Sequence, residues 1–245
     1  MIMMYLQQRK SIVTDKHNKD FIHKEFPKQF AKDDFWSQIK RTVNGKPVSE
    51  SDIQLIVNQV CKHLKLNCDC GLLDLGCGNG ALASRLFSDI GKYIGVDFSA
   101  YLLEIAREYF SPRDDIQYIE SDIRTYVKEA VKTEGISRVL IYGCISYLSR
   151  GELIEFLTDI KNRFHDVKYV FIGNIPDKDK SDEFYSQRGI TDFKLDDPQS
   201  PIGCWWGVEE FKDLCEKIGY RVTIDKMPEE FYGSKYRFDV GLSLA

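Results

Sequence analysis

The segment Leu72–Gly80, which reads LLDLGCGNG, decides the fold. Its first residues form a short apolar run that contains one acid, Asp74, and such a run is typical of a buried strand. The glycines that follow at positions 76, 78 and 80 let the backbone turn out of the strand and pass close to a ligand, because no Cβ atoms stand in the way. The helix expected after them would direct its N-terminal amides at an anionic group. We therefore predict a strand, a glycine loop and a helix that bind a nucleotide-like ligand.

Further strands and helices alternate along the chain on the C-terminal side of this segment. Apolar residues recur at helical spacing between the short apolar runs, which indicates βαβ units with right-handed crossovers. The predicted strands are Gly71–Leu75, Lys92–Asp97, Ile116–Ile119, Arg138–Tyr142 and Lys168–Ile172, and a hairpin of Tyr220–Ile224 with Tyr236–Leu244 ends the chain. The fold class is therefore α/β, with a Rossmann-like doubly wound sheet, helices on both faces and ligands at the carboxyl ends of the strands.

A dinucleotide-binding oxidoreductase is the alternative interpretation of the glycine loop. Gly76, Gly78 and Ala81 satisfy the loose G-x-G-x-x-G/A fingerprint, and Asp97 follows at the distance of the acid that binds the NAD ribose. Three features favour a different nucleotide-like cofactor: the third glycine of the loop, a further acid after the third strand at Asp122, and the C-terminal hairpin in place of a second domain.

Three segments resemble the motifs of the class I S-adenosylmethionine-dependent methyltransferases, in the same order and at similar spacing. Leu72–Gly80 resembles the first motif of that family, Gly95–Ser99 the second and Ser121–Ile123 the third. The resemblance covers roughly residues 50–245. It implies a seven-stranded sheet whose last strand is antiparallel, and S-adenosylmethionine as the cofactor.

The resemblance also implies how this cofactor would be bound. The loop containing Gly76, Cys77 and Gly78 would wrap its methionine part, and Asp97 would accept hydrogen bonds from both ribose hydroxyls. Asp122 would meet the adenine amino group, with Phe98 and Ile123 beside the ring, and Asp74 would mainly anchor the loop. Ionised carboxylates only accept hydrogen bonds, so they suit a diol and an exocyclic amine. Alternatively, Asp97 and Asp122 are acids that complement the dipoles of the helices they precede.

The substrate side of the site is expected after the fourth strand, in Gly143–Leu148. Methyl transfer is an in-line displacement that depends on alignment of donor and acceptor, and it needs a general base only when the acceptor loses its proton early. No catalytic residue is therefore obligatory. Substrate-side candidates are Tyr147, Ser146 and Trp206, with a packed core tyrosine as the alternative for Tyr147. The Asn/Asp-Pro-Pro-aromatic motif of amino-purine methyltransferases is not found at this position.

The predicted core domain is residues 49–245, and two segments are expected to extend its site, one before the core and one inserted within it. Residues 1–48 form an N-terminal arm that mixes aromatic and basic side chains, among them Trp36 and Arg41, and could cover the cofactor as a lid. A helix packed on the flank of the sheet is the alternative. Residues 173–206 contain three prolines and no clear period, so we predict an irregular substrate-side insertion that ends in the pair Trp205 and Trp206.

Composition limits the partners that we expect. The chain has 245 residues, 43% of them hydrophobic, and a net charge of −4, and no basic stripe interrupts its acidic body. Because affinity for nucleic acid comes largely from neutralised phosphates, we expect no nucleic acid partner but a small-molecule acceptor, possibly a sugar or another polar metabolite. The cysteine spacing predicts neither disulfides nor a metal site. The absence of long apolar runs predicts no membrane segment and a cytoplasmic protein. A non-catalytic S-adenosylmethionine-binding partner subunit is a further alternative.

Overall fold

A seven-stranded sheet organises the computed structural model, which describes residues 21–130 and 134–244. A two-stranded hairpin of β1 (Thr42–Val43) and β2 (Lys46–Pro47) precedes it. The strands of the sheet are β3 (Gly71–Leu75), β4 (Lys92–Asp97), β5 (Ile116–Glu120), β6 (Ile136–Tyr142), β7 (Tyr169–Pro176), β8 (Arg221–Asp225) and β9 (Arg237–Ser243). Their spatial order is β5-β4-β3-β6-β7-β9-β8.

The strand directions confirm the predicted fold class. The first five strands pair in parallel, and β9 is antiparallel to both of its neighbours, β7 and β8. The order reverses at β3, so the crevice between β3 and β6 opens at the carboxyl ends of these strands, where ligands bind in open α/β sheets. The glycine loop follows β3 and therefore lies at this crevice.

Helices cover both faces of the sheet. They are α1 (Phe35–Gln38), α2 (Glu50–Leu64), α3 (Ala100–Tyr109), α4 (Ile123–Glu129), α5 (Arg150–Arg163), α6 (Ser181–Ser186) and α7 (Val208–Ile218). Ser149 caps α5 reciprocally with Glu152, as the capping-box spacing predicts, because each side chain accepts the other residue's backbone amide. Two apolar cores, one on each face, result from this packing. No helix in the described ranges is long and apolar enough to cross a membrane.

Three segments differ from the sequence predictions. The helix after the glycine loop is a 3₁₀ helix, Ala83–Asp89, and Ser84 donates its hydroxyl to the carbonyl of Ala81, a local bond that competes with the α-helical ladder. β7 continues to Pro176, and α6 follows within the segment predicted to be irregular. The arm forms short helical turns and a hairpin in place of one amphipathic helix. Residues 1–20 of the arm and Val131 of the predicted fourth helix lie outside the described residues.

Candidate active site

The glycine loop leaves β3 in a conformation that depends on glycine. The backbone amides of Gly76 and Cys77 both donate to the carbonyl of Val96 on β4, at 2.8 and 3.1 Å, which turns the chain out of the sheet. Gly76 has a φ of 84°, and a Cβ atom there would lie 2.8 Å from Cys144 Sγ. The loop can therefore approach the end of β6 only because residue 76 has no side chain.

Asp97 links the glycine loop to the end of β4. Its Oδ2 accepts the amide of Gly78 at 2.9 Å, and its Oδ1 accepts the amide of Ser99 at 2.8 Å. Burial raises the pKa of this carboxyl, and the same backbone amides oppose the rise. Each carboxylate oxygen can accept more than one hydrogen bond, so these contacts leave capacity for a ligand. Asp97 thus fixes the loop and lies at the mouth of the crevice.

Asp74 is enclosed one residue before the end of β3. Its Oδ2 accepts the hydroxyl of Tyr93 at 3.0 Å, and burial raises its pKa to about 7. The positive charge of Arg41 acts in the opposite direction. Asp74 was predicted to anchor the loop amides, but it bonds to a β4 side chain, and Val96 and Asp97 hold those amides instead. Tyr93 escaped sequence reasoning because its strand position gives no sign of a polar partner.

Asp122 occupies the N-cap of α4. Its Oδ1 accepts the amides of Arg124 and Thr125 at 3.0 and 3.2 Å, whereas its Oδ2 accepts no hydrogen bond from the described residues. Its side chain is 44% exposed, so one oxygen remains open to a ligand. Ile123, next to it, is buried, and Phe98 is partly exposed. The capping role that sequence analysis left as an alternative is therefore present, and it does not occupy the whole carboxylate.

Residues 23–41, which we call the cover segment, lie directly on the glycine loop. The side-chain amide of Asn79, which is fully buried, donates to the carbonyl of Phe35 and to Oε1 of Gln38, both at 2.8 Å. A Cβ atom on Gly78 would lie 3.1 Å from Ile39 Cγ2. Neither Asn79 nor Gln38 was predicted, because their contact joins residues 41 positions apart.

The start of the cover segment spans the two sides of the crevice. The ring of His23 packs edge-on against Phe98 at 5.7 Å and against Tyr147 at 5.0 Å between centroids. Lys24 Nζ lies 5.1 Å from the centroid of the Phe98 ring. A predicted cofactor residue and a predicted substrate-side residue are thus connected through one histidine that no sequence motif singles out.

Arg41 ends the cover segment with a buried guanidinium. It stacks on the ring of Tyr142 at 4.4 Å and lies close enough to Asp74 and Tyr232 to perturb both electrostatically. Its Nε is buried without a hydrogen-bond partner in the described structure. An unpaired buried donor is costly, so this atom fits a ligand that accepts a hydrogen bond. Trp36, the other arm residue predicted to bind the cofactor, packs against the apolar core that contains β3 and β4 side chains.

The substrate-side candidates occupy different environments. Gly143, which was predicted to contact the cofactor, directly follows β6 with a φ of 77° and is partly exposed, and Ser146 is buried. Tyr147 donates its hydroxyl to the carbonyl of Pro201 at 3.2 Å. Trp206 is fully buried against Phe211 and under the guanidinium of Arg150, so its ring has no surface open to a substrate here.

Two cysteines lie beside the glycine loop, and burial raises the pKa of both thiols well above its usual range. Cys144 donates its thiol to the carbonyl of Leu75 at 3.2 Å, and Cys77 is buried. A neutral thiol is a poor nucleophile, so these side chains fill space in the loop. Among the described residues no group of three His, Cys, Asp or Glu side chains is arranged to hold a metal ion.

These residues fit S-adenosylmethionine. The unpaired Nε of Arg41 suits a carboxylate, Asp97 suits a diol, and the open oxygen of Asp122 beside Phe98 suits an aminopurine.

Comparison with known proteins agrees with this fit. Residues 72–165 match the family described as methyltransferase domain. The uncharacterized methyltransferase C70.08c of Schizosaccharomyces pombe is 32% identical over 76 residues, which are 31% of this chain and 27% of that protein. Ribosomal RNA small subunit methyltransferase A of Staphylococcus epidermidis is 22% identical over 95 residues, 38% of this chain and 32% of that protein. The chain thus spans less than a third of these relatives' length.

Solved structures share the fold over most of the chain. The methyltransferase domain of bacterial CtHen1-C superposes with a TM-score of 0.58 at 22% identity, covering 80% of this chain and 98% of that one. Magnesium protoporphyrin IX methyltransferase of Synechocystis, solved with bound S-adenosylhomocysteine, superposes with a TM-score of 0.62 at 13% identity, covering 96% of this chain and all of that one. Phosphoethanolamine N-methyltransferase 2 of Haemonchus contortus, solved with S-adenosylmethionine, has a TM-score of 0.53 at 15% identity and covers 76% and 52%.

These similarities correct the expectation that nucleic acid is not a partner. The chain resembles a ribosomal RNA methyltransferase in sequence and a small RNA methyltransferase in structure, so an RNA acceptor is possible. The absence of a basic stripe was an insufficient argument, because net charge describes nonspecific attraction and says little about one enclosed site. The predicted cofactor class is supported by the same neighbours. The methyltransferase-domain match over residues 72–165 and the fold shared with S-adenosylmethionine-dependent methyltransferases over most of the chain agree with the resemblance to the class I family seen in the sequence motifs.

Proposed function

We propose that this chain transfers a methyl group from S-adenosylmethionine to an acceptor bound at the carboxyl ends of β6 and β7, beside the amino end of β9. The observation that carries the proposal is the closed arrangement around the glycine loop. Asp97 holds the loop from β4, and Asn79 fixes the cover segment on it from the other side. A loop and a cover segment held in this way would bring a cofactor and an acceptor together away from bulk water.

Each part of the cofactor would be bound by residues that the sequence analysis predicts. Gly76, Cys77 and Gly78 surround its methionine part, and the ribose hydroxyls donate to Asp97. The adenine lies between Phe98 and Ile123, with its amino group at the open oxygen of Asp122. Arg41 pairs with the carboxylate of the methionine part, because its unpaired Nε and planar guanidinium suit a carboxylate. Asp74 lies behind the loop, where it accepts the hydroxyl of Tyr93 and does not contact the cofactor.

The protein's part in the reaction is alignment and exclusion of water. S-adenosylmethionine supplies an activated methyl group on a sulfonium, so the chain need not form a covalent intermediate. The neutral thiols of Cys77 and Cys144 agree with this role. Tyr147 and Gly143 border the transferred methyl, and the cover segment acts as a lid that closes over the bound cofactor through His23 and Asn79.

A small polar acceptor, such as a sugar, remains our prediction from sequence, and an RNA acceptor is the second candidate. The named relatives and neighbours include methyltransferases of ribosomal RNA, small RNA, magnesium protoporphyrin IX and phosphoethanolamine. These names favour no single acceptor class, so both classes enter the test.

The experiment has two steps. Calorimetry with S-adenosylhomocysteine and with NAD separates a methyltransferase from an oxidoreductase, and we expect binding of the first only. The protein is then incubated with methyl-labelled cofactor and either a metabolite extract or RNA. A second RNA sample is first digested with ribonuclease, and the sample that becomes labelled identifies the acceptor pool. Binding without any transfer would favour the non-catalytic partner subunit, and binding of NAD alone would refute the proposal. Asp89→Asn, an exposed change outside the pocket, is the matched control for Asp97→Asn.

A further inference from the structure

Arg237, the first residue of β9, places a positive charge on the acceptor side of the pocket. Its Nη1 donates to the backbone carbonyl of Asn174 at 3.0 Å, and its guanidinium lies 5.4 Å from the centroid of the Tyr236 ring. Among the described residues no carboxylate forms an ion pair with it. Protein atoms surround the side chain of Arg237 on most sides, and the residue is half-buried, as expected for a residue that lines a pocket. Burying a cation without an anionic partner is unfavourable, so this group calls for an anion from outside the described chain.

The groups around Arg237 are phenols. Tyr142, Tyr147, Tyr232 and Tyr236 all lie close enough to interact with it electrostatically. Tyr147 is the substrate-side residue predicted from sequence, and it packs against His23 of the cover segment. Tyr142 carries Arg41 on its ring. The guanidinium of Arg237 therefore lies in the same pocket as the acceptor-side residues.

A β-bulge fixes the position of Arg237. The pairing of β7 with β9 shifts between Ile172 and Ile175, so Gly173 and Asn174 stand opposite the single residue Asp239. Asn174 has a φ of 67°, a left-handed conformation uncommon outside glycine, and its amide donates to Asp239 Oδ1 at 2.8 Å. This arrangement directs the carbonyl of Asn174 to the guanidinium. Bulges of this kind re-aim side chains next to active sites.

We propose that Arg237 binds an anionic group of the methyl acceptor, a carboxylate or a phosphate, with the hydroxyl of Tyr236 as a neighbouring donor. The proposal rests on the proposed methyltransferase function for its site, and it deepens that function by naming the acceptor's chemistry. A planar guanidinium held at one edge by a backbone carbonyl leaves its other N–H groups for a two-point contact with such an anion.

The first test uses charge separation of the acceptor pool. A metabolite extract passed over an anion exchanger is assayed with methyl-labelled cofactor, and we expect the acceptor activity in the retained fraction. Loss of activity after phosphatase identifies a phosphomonoester, loss after ribonuclease identifies the phosphates of RNA, and resistance to both identifies a carboxylate. Acceptor activity confined to the unretained fraction would overturn the proposal.

The second test uses variants of Arg237. Arg237→Met should lower kcat/KM by at least about tenfold while leaving the affinity for S-adenosylhomocysteine unchanged, because it removes a charge-assisted contact to the acceptor only. Arg237→Lys should lose less, since the charge remains without the planar geometry. Arg221→Met on the neighbouring strand β8, where the side chain is exposed, is the matched control and should retain wild-type activity. A loss of S-adenosylhomocysteine affinity in Arg237→Met would assign Arg237 to the cofactor and overturn the proposal.

The third test does not require turnover. Titration of the protein with inorganic phosphate or acetate, followed by thermal unfolding, should stabilise the wild type and the Arg221→Met control more than Arg237→Met. Equal stabilisation of all three would overturn the anion site. If the protein binds no S-adenosylhomocysteine but shows this difference, the proposed function fails while the anion site stands.

Discussion

Asp97 gives the sharpest test of the cofactor site, because its carboxylate holds the loop and faces the expected ribose at once. Asp97→Asn keeps one oxygen and replaces the other with an amide nitrogen. If the oxygen keeps the amide of Ser99, the new NH₂ group faces the amide of Gly78, and two donors then oppose each other where a 2.9 Å hydrogen bond stands in the wild type. Asp97→Ala removes both bonds.

The expected size of the effect follows from these bonds. Hydrogen bonds to an ionised group contribute about 1.5 to 3 kcal/mol each, so losing two proposed ribose contacts costs about 3 kcal/mol at the low end. That cost corresponds to roughly 150-fold weaker binding of S-adenosylhomocysteine, since about 1.4 kcal/mol is tenfold. The stability loss should be smaller for Asp97→Asn than for Asp97→Ala, because Asn keeps one oxygen that accepts a backbone amide whereas Ala leaves both amides without this acceptor.

Calorimetry with S-adenosylhomocysteine measures the affinity, and thermal unfolding shows that each variant is folded. We expect at least about tenfold weaker binding for Asp97→Asn and a larger loss for Asp97→Ala. Asp89→Asn, in an exposed position at the end of the 3₁₀ helix, should bind as the wild type does. Unchanged affinity in a folded Asp97→Asn variant would refute the ribose assignment.

Three further predictions concern neighbouring residues. We expect amide exchange of residues 30–43 to slow when S-adenosylhomocysteine is added to the wild type. In Asn79→Ala the cover segment loses the hydrogen bonds of Asn79 to Phe35 and Gln38, so exchange of these residues should stay fast. Equal protection in both proteins would contradict the lid. Asp122→Ala should lose about 1 kcal/mol of stability, because the N-cap of α4 is removed, and should bind adenosine more weakly. Asp122→Ser should keep the cap and still lose adenosine affinity. Full affinity of Asp122→Ser for adenosine, measured by calorimetry, would argue against the adenine contact. Because the pKa of Asp74 is raised to about 7, the folded state binds more protons than the unfolded state between about pH 4 and 7, so wild-type stability falls as pH rises through this window. Asp74→Asn should remove about 3 kcal/mol of that fall between about pH 5 and 8 in urea unfolding, and parallel pH curves for the two proteins would refute it.

The sequence predicted those parts of the site that depend on local chemistry. Within Leu72–Gly80 an apolar strand that contains Asp74 is followed by the glycine loop. The residue types in each part suit only a few backbone conformations, so the local structure can be predicted from them. The positions of Asp97 and Asp122 followed from the same rule, since Asp97 ends β4 and Asp122 lies two residues beyond the end of β5. Parallel strands end at one edge, so the sequence alone brings these acids together.

The contacts that close the site depend on pairing between distant segments. Asn79 lies inside the predicted loop, yet its partners in the cover segment are 41 and 44 positions away. Arg237 needs a bulge between β7 and β9, and no local pattern in either strand announces the shift of register. Trp206 was a substrate-side candidate from sequence, but the structure buries it beside Phe211. The periodicity of apolar residues predicts which helices and strands form. Which of their polar groups come into contact depends on how segments that are distant in sequence pack together.

The closure of the cover segment is weak enough to be reversible. Two hydrogen bonds from Asn79 contribute about 1 kcal/mol each, and the edge-on contacts of His23 with Phe98 and Tyr147 add about 0.5 to 1.5 kcal/mol each. Contacts worth a few kcal/mol break often enough for cofactor exchange, whereas Trp36 packs against the apolar core, so we expect the segment to lift from the crevice while Trp36 stays in place. His23 touches Phe98 on the cofactor side and Tyr147 on the acceptor side, so opening frees both sides together. We therefore expect the cofactor product and the methylated product to leave through the same movement, and the segment's exchange kinetics to set the upper limit on turnover.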